Sequence, residues 1–323
     1  MDAYNLYAKL CLDSSEYEKG MKDAKSSAGG LTGLFEKVCS AASTVGKGIF
    51  TVAANVAKVS VAATTAGEAA VSALTTLAVN SYADYEQLVG GVETLYKDSA
   101  AKVQQYAADA YKTSGMTANA YMTTATSYAA ALVSSLGGDT ERAAELSNMA
   151  VSDMTDNWNK FGSSADSVQD AYNGFAKGQF QLLDNLKLGY GGTKEEMERL
   201  LDDANKLNAA QGKYTDYSID SFSDIILAIH DIQTEYDITG TTAKEASTTI
   251  SGSLSAAKAA WANLVTGVAD DNANFGQLIS NFVDSATTAA SNIIPRVEVA
   301  LNGAAKLIES LVPVSYTHLT LPT

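Results

Sequence analysis

Short amphipathic segments separated by glycine dominate the stretch from Tyr82 to Ala204. Apolar side chains recur there at spacings of three and four residues, the period of a helix with one buried face. Glycines interrupt this pattern at Gly115, Gly137-Gly138, Gly162, Gly189 and Gly191-Gly192. Short breaks between amphipathic helices favour antiparallel neighbours. The sequence therefore predicts an all-α protein with a compact, multi-helix central domain over residues 82–212.

Four apolar stripes predict the helices of this domain, and Trp158 in the fourth stripe is expected to be buried. The stripes consist of Tyr85, Leu88, Val89, Val92, Leu95 and Tyr96; of Val103, Tyr106, Ala107, Ala110 and Tyr111; of Tyr121, Ala125, Tyr128, Ala129, Leu132 and Leu136; and of Ala143, Leu146, Ala150, Met154, Trp158 and Phe161. A capping box, Thr193 with Glu196, predicts the start of a further helix whose apolar face is Met197, Leu200, Leu201, Ala204 and Leu207.

Further helices are expected on both sides of the central domain. Residues 34–81 form an Ala- and Val-rich segment, and residues 213–313 carry more amphipathic helices. The three prolines all lie at or beyond Pro295, and their scarcity permits long helices because an interior proline costs about 3 kcal/mol. The downstream predictions are a stripe of Ile219, Phe222, Ile226 and Ile229; a cap at Thr242 with Glu245; a stripe of Ile250, Leu254, Ala257, Trp261, Leu264 and Val268 with Trp261 on the core face; and two helices, Phe275–Ala290 and Pro295–Leu311.

The N-terminal segment, residues 1–33, differs in pattern from the rest of the chain. Ala3–Leu12 alternates with a period of two, which is compatible with a short strand, and Ser26–Gly33 is a small-residue hinge. The N-terminus has neither the basic nor the apolar region of a signal peptide. Cys11 and Cys39 are two cysteines in a long chain, which indicates isolated thiols rather than a disulfide framework.

The C-terminal segment, residues 314–323, breaks from the composition before it. Its sequence, VSYTHLTLPT, contains no alanine, and it can be encoded by the nucleotides of a transposon-type sequencing adapter read in frame. We therefore expect residues 314–323 to be a non-native, adapter-derived tail that makes no packed contacts, and residues 1–313 to be the front of a longer chain. A genuine extended tail is the alternative.

The charge pattern argues against nucleic acid as a partner. The net charge is −15, and no run of Lys or Arg exists. Binding to a phosphate backbone needs clustered cations, so we expect no sequence-specific nucleic-acid binding. Residues 34–80 are interrupted by charged residues and rich in Ser and Thr, so no clear transmembrane helix is predicted. Their small side chains fit either self-association or packing of an Ala-rich helix against the central domain.

Residues with catalytic or ligating chemistry do not form a recognisable set. His230 has no second histidine beside it to bind a metal and is read as a satisfied or exposed helix residue. Gly46-Lys47-Gly48 lacks the glycine and the Ser/Thr of a phosphate loop. Asp202-Asp203 and Asp270-Asp271 are more simply solvated faces or caps. We therefore expect no enzyme, no cofactor and no metal site, and we assign no catalytic or binding residue.

Several phrases together resemble the tape measure proteins of siphophage-type tails and their prophages. They are YADYEQLVGGVETLYKDSA, GMTANAYM, SNMAVSDMTDNWNKFG, GGTKEEMERLLDDA, GTTAKEASTTISGSLSAAKAAWANLVTGVADDNANF and SNIIPRVEVALNG, in this order across most of residues 1–313. The resemblance implies a structural protein of the virion that sets tail length in the tail lumen after assembly in the host cytoplasm. It also implies contact with the tail tube protein, tail assembly chaperones and baseplate or distal tail proteins, and possible membrane contact during DNA ejection. The alternative is a secreted or surface-associated bacterial helical protein or effector without enzymatic activity in this fragment.

Overall fold

Helices account for all the regular secondary structure between Ala66 and Thr317, the residues whose backbone the computed structural model describes. The helices are α1 (Ala66–Tyr96), α2 (Ala100–Thr113), α3 (Ala118–Ser127), α4 (Ala129–Ser135), α5 (Thr140–Phe161), α6 (Ala165–Phe175), α7 (Lys194–Ala210), α8 (Phe222–Glu235), α9 (Thr241–Thr248), α10 (Ile250–Gly267) and α11 (Phe275–Thr317), with 3₁₀ turns at Lys97–Ser99 and Leu183–Leu186. The all-α prediction is confirmed for this part. The predicted strand at Ala3–Leu12 and the hinge lie outside the described residues.

Most helices begin at a residue whose own side chain caps them. Seven such residues accept a hydrogen bond, 2.9–3.3 Å long, from the backbone N–H three positions further on: Thr117, Asp139, Ser164, Thr193, Ser221, Thr249 and Asn274. A cap of this kind stabilises a helix by about 1 kcal/mol. The predicted capping box of α7 is half formed, because the Glu196 carboxylate accepts from Gly191 N at 2.9 Å instead of from Thr193 N.

A single cluster of buried apolar side chains, here called the main core, runs from Val92 to Ile238 and joins α1 to α8. The largest of its fully buried members are Tyr96, Tyr121, Met122, Leu132, Leu146, Met154, Tyr172, Phe175, Leu183, Leu186, Met197 and Leu200. Burial of a side chain of this size stabilises the fold by roughly 1.5–3 kcal/mol. The main core also takes in Ile225, Ile226 and Ile229 of α8, which lie beyond Gly212.

Two expectations for the central helices are wrong. Trp158 packs against the main core but is only half-buried, because Asp153, Asp156 and Asn157 take the inward positions around it on α5. The predicted helix through Tyr121 and Leu136 is interrupted at Tyr128, so that α3 and α4 are separate. The Tyr128 ring is buried and its hydroxyl donates to the carbonyl of Ser147 at 3.3 Å, which holds the break inside the core.

The last three helices, α9–α11 (residues 241–317), form what we call the C-terminal arm. The predicted stripe on α10 is wrong at its ends, since Ile250, Leu254 and Val268 are 40%, 39% and 49% exposed. Small residues form the buried face of α10 instead, namely Ser253, Ala256, Ala257, Ala259, Ala260 and Gly267 with Asn263, Leu264 and Val265. Small side chains let neighbouring backbones approach closely. Trp261 is half-buried, and its ring centroid lies 5.2 Å from that of Phe282 on α11.

The two helices predicted at the C-terminal end are one helix. α11 runs for 43 residues without a break at Pro295. A proline inside a helix removes one backbone hydrogen bond and crowds the carbonyl four residues earlier. Pro295 and Ser291 are both exposed, so water can solvate the freed carbonyl. α11 includes residues 314–317 of the predicted adapter-derived tail, whereas the side chains that would test its packing lie outside the described residues.

Among residues 66–317, none of the helices combines the length and the apolar character needed to cross a membrane. By backbone proximity, the described residues from Ala73 onward group into one compact unit.

Candidate functional site: a buried acidic centre

Two aspartates lie inside the protein on the inner face of α5. Asp153 is 1% exposed and Asp156 is 2% exposed. Asp153 follows Leu146 by two helical turns and Ala150 by one, so it continues the same buried helix face. Asp156 lies one further turn along that face. Buried carboxylates are rare unless they are paired or hydrogen-bonded, and each of these two has its own partners.

Asp153 is paired with His230 of α8. The His230 Nδ1 atom lies 3.0 Å from both carboxylate oxygens of Asp153, and 27% of the histidine side chain is exposed. Burial raises the pKa of Asp153 from 3.8 to about 6, although the hydrogen bond with His230 opposes this rise. The same hydrogen bond raises the pKa of His230 above its usual value. The pair fixes the position of α8 on α5.

Asp156 binds the start of α9. Its Oδ2 accepts a hydrogen bond from Gly240 N at 2.6 Å, and its Oδ1 accepts one from Thr242 N at 2.7 Å. Gly240 has a φ of 83°, a left-handed conformation that favours glycine, and its position offers no side chain to cap the helix. Asp156, which is distant from α9 in sequence, therefore supplies the acceptor oxygens that a local side chain supplies in the self-capped helices. Burial raises the pKa of Asp156, and the two backbone hydrogen bonds oppose that rise.

A third carboxylate, Asp231, links α8 to the preceding helix and loop. Its Oδ2 accepts from the Asn208 Nδ2 of α7 at 2.6 Å and from the Tyr217 hydroxyl at 2.8 Å. Asp231 is adjacent to His230 in sequence. Three neighbouring acidic residues on two helices thus hold α5, α7, α8 and α9 together through polar contacts.

Three further polar groups near Asp153 and Asp156 are fully buried. The hydroxyl of Tyr172 on α6 and the amide of Gln233 on α8 lie near each other, without a well-formed hydrogen bond to any described group, and the Oδ1 of Asn157 has no hydrogen-bond partner among the described residues. Burial and the charges of Asp153 and Asp156 raise the pKa of Tyr172 well above its usual value. We call Asp153, Asp156, Tyr172, His230 and Gln233 the buried acidic centre.

The buried acidic centre contains part of a catalytic constellation but not all of it. A carboxylate that orients a histidine is found in nucleophilic hydrolases, where the second ring nitrogen faces a hydroxyl or a thiol. Within residues 66–317, no hydroxyl or thiol is hydrogen-bonded to the His230 ring. Those residues also contain no group of three or more His, Cys, Asp or Glu side chains positioned to hold a metal ion.

An open groove lies apart from the buried acidic centre. It has a volume of about 400 Å³, and its lining consists of Phe175, Ala176, Gly178, Phe180, Lys194, Ile219, Asp220, Phe222 and Ile225. None of these residues belongs to the buried acidic centre. The groove therefore gives its carboxylates no access to solvent.

The sequence reading assigned no functional residue, and the structure gives several of the residues it discussed a structural partner. The predicted cap at Thr242 is wrong, because Asp156 caps α9 and the Asn159 amide donates to the Thr242 hydroxyl at 2.8 Å. Asp202 pairs with Lys206, and Asp203 accepts from the Tyr190 hydroxyl. Asp270 accepts from Asn272 N in the loop before α11. Gly46-Lys47-Gly48 lies outside the described residues.

Sequence reasoning missed Asp153 and Asp156 as members of the interior. One signal was present, because both aspartates fall at core spacing on a helix whose apolar face was recognised from Ala143, Leu146 and Ala150. A charged residue at a core position indicates a partner on another helix. The partner itself could not be identified, since His230 and Gly240 are far away in sequence.

No protein-family model, no curated protein sequence and no solved structure matches this chain. The resemblance to tape measure proteins therefore continues as a prediction from the sequence phrases.

Proposed function

We propose that this chain is the N-terminal part of a tape measure protein, around which tail tube subunits polymerise until the protein is covered. The observation that carries the proposal is the number and order of the resembling phrases between Tyr82 and Gly303. The mechanism rests on helix geometry. A helix rises by about 1.5 Å per residue, so a chain held extended converts gene length into tail length.

The shape of α11 is consistent with such a role. Its 43 residues correspond to about 65 Å of continuous helix. The first half packs against α10, and the Asn292 amide donates to the carbonyls of Ser247 and Thr249 at 3.2 Å, close to the start of α10. Ile294, Arg296 and Val299, which follow, are exposed. The helix thus continues past its hydrogen bonds to the carbonyls near the start of α10, as a ruler segment would.

The main core suits assembly contacts rather than the measurement of length. A compact cluster of helices cannot change length in small steps, because removal of one helix exposes the side chains it covered. We therefore assign measurement to the extended helices and assembly contacts to the main core. The proposed partners are the tail tube protein, the tail assembly chaperones and the baseplate or distal tail proteins, with self-association inside the tail lumen.

Deletions in the full-length gene test this proposal. Removal of residues 296–313 takes away a block of about five complete helical turns, so the phase of α11 is kept. We expect tails that are shorter by about 27 Å, and two to four tandem copies of the block should lengthen them by about 27 Å per added copy. Electron microscopy of several hundred tails per variant measures the length.

Two matched variants sharpen the result. Replacement of residues 296–313 by other helix-forming residues keeps the length and should leave tails unchanged. Deletion of residues 143–160, a block of the same length, removes most of α5 and should abolish tails rather than shorten them. Normal tails of unchanged length from the 296–313 deletion would refute the ruler and leave a plug or an assembly hub.

A further inference from the structure

The C-terminal arm contributes nothing to the main core. The main core ends at Ile238, and none of its buried members comes from α9, α10 or α11. The buried apolar residues of the arm, which include Leu264, Val265 and Ala289, lie outside that cluster. The described residues therefore form one large apolar cluster up to Ile238 and separate, smaller burial beyond it.

Among the described residues, the cluster of buried apolar side chains that joins the arm to the preceding helices is small. It comprises Tyr111 from α2 with Ala259 and Ala260 from α10, flanked by Phe282 of α11. Two alanines and one tyrosine bury little apolar area compared with the aromatic and aliphatic residues of the main core. Hydrophobic stabilisation is roughly proportional to buried apolar area, so this contact contributes only a small part of what the main core gains.

Polar contacts also join the arm to the preceding helices. The Asn263 Oδ1 accepts from Ala118 N at 2.9 Å, and the Ser81 and Thr266 hydroxyls lie 2.5 Å apart. Asp156 is the only carboxylate among the described side chains that bonds the arm from α5; it accepts from Thr242 N in the first turn of α9 and from Gly240 N just before the arm. Hydrogen bonds to a charged group are stronger than neutral ones.

The joint between the two parts is suited to movement. Ile238 is buried in the main core, and Gly240, two positions later, has the left-handed backbone conformation. All residues of the arm follow this glycine. When the two Asp156 hydrogen bonds are broken, the described residues still join the arm to the preceding helices through Thr239–Gly240, the small Tyr111 contact, the Asn159–Thr242 hydrogen bond and the polar contacts described above.

We propose that the C-terminal arm opens as a unit, separately from the main core, and that the Asp156 carboxylate is the latch that keeps it closed. In physical terms, α9–α11 form a cooperative unit whose opening free energy is lower than that of global unfolding. The inference does not depend on the proposed function.

Hydrogen exchange of the full chain, followed by mass spectrometry, tests the latch with Asp156→Asn. The substituted amide keeps the size of the side chain but turns one acceptor into a donor that faces a backbone N–H. Exchange in residues 241–297 should become at least about tenfold faster, while exchange in α3–α8 stays within about twofold of the original rates.

The matched control is Asp139→Asn, which changes the local cap of α5 and should leave exchange in the arm unchanged. Asn159→Ala provides a second route if Asp156→Asn does not fold, because Asn159 is exposed and its amide donates to the Thr242 hydroxyl. It should raise arm exchange alone, by about two- to fivefold. Unchanged arm exchange in the variants that fold, or a common rise in arm and main core, would overturn the proposal.

Discussion

The Nδ1 atom of His230 is equidistant, at 3.0 Å, from the two carboxylate oxygens of Asp153. Among the ion pairs of the described residues, Asp153 is the most deeply buried carboxylate. This arrangement places a titratable pair on the buried face of α5. The charges that face it come from Asp156 on α5 and from Asp231 on α8. The pH dependence of stability should therefore carry the signature of this pair.

We expect the pair to make the protein more stable at mildly acidic than at alkaline pH. The folded pKa of Asp153, about 6, lies above the ordinary value of 3.8, so its contribution is complete below pH 3.8 and is lost as the pH rises through 6. His230 also has a raised pKa, so its contribution is present below 6.5 and is lost as the pH rises through the folded value. Both signs agree.

Asp153→Asn isolates this effect. Between pH 5 and pH 8, the unfolding free energy of the original protein should fall by about 1–2 kcal/mol more than that of the variant. Urea denaturation at each pH gives the four values. Carboxylates that lie away from the pair titrate equally in both proteins, so their contributions cancel. Identical pH profiles would show that the pair does not couple to folding.

A second prediction concerns the interior hydrogen bonds of Tyr96. Its hydroxyl donates to the carbonyl of Ala125 at 3.0 Å and lies 2.7 Å from the Ser147 hydroxyl. Ser147→Ala should cost about 1 kcal/mol of stability, because Tyr96 keeps its own acceptor but loses a donor. A double-mutant cycle with Tyr96→Phe measures the coupling. A coupling energy near zero would mean that the contact contributes nothing.

Gly252 marks a close approach of two backbones. A Cβ atom on Gly252 would overlap the carbonyl carbon and oxygen of Glu245, and neither can move without shifting α9. Gly252→Ala should destabilise the arm by about 1–3 kcal/mol. Gly276→Ala is the matched control, since its nearest neighbour, the Asn274 Oδ1, is 3.7 Å away, and it should be neutral or stabilising by up to about 1 kcal/mol. Equal effects in thermal denaturation would contradict this packing.

Pro295 should weaken α11 locally. Pro295→Ala restores the backbone hydrogen bond to the Ser291 carbonyl and should slow amide exchange over residues 293–297, with a local gain of about 1–3 kcal/mol. The neighbouring exposed substitution Arg296→Ala leaves the backbone unchanged and serves as the control. Faster exchange after Pro295→Ala would show that the proline stabilises the helix.

Local sequence patterns predicted much of the fold. The four stripes of the central block correspond to helices from α1 to α5, and the cap at Thr193 begins α7 as expected. These features depend on neighbours three or four positions apart. The face of α10 was misread because its large residues, such as Ile250 and Leu254, point outward while alanine and glycine allow close packing. An apolar stripe on a helix with mostly small residues does not by itself identify the buried side.

Local sequence patterns could not predict the buried acidic centre, for a different reason. Asp153 and His230 are separated by 77 residues, and Asp156 and Thr242 by 86. Polar residues at core spacing are visible in one chain, but their partners depend on how helices pack. A half-buried Trp158 follows from the same cause, because the inward positions beside it are polar.

The capping of α9 by Asp156, a residue of another helix, also has a consequence for the order of folding. Each of the seven self-capped helices carries its start signal next to its own first turn, so the signal is available as soon as that segment exists. The first turn of α9 depends on contacts that span 84 and 86 residues. Closing such a long loop costs conformational entropy before any gain is made. The N-terminus of α9 should therefore be capped only after α5 and α8 have packed together. This makes α9 a late element on the folding pathway.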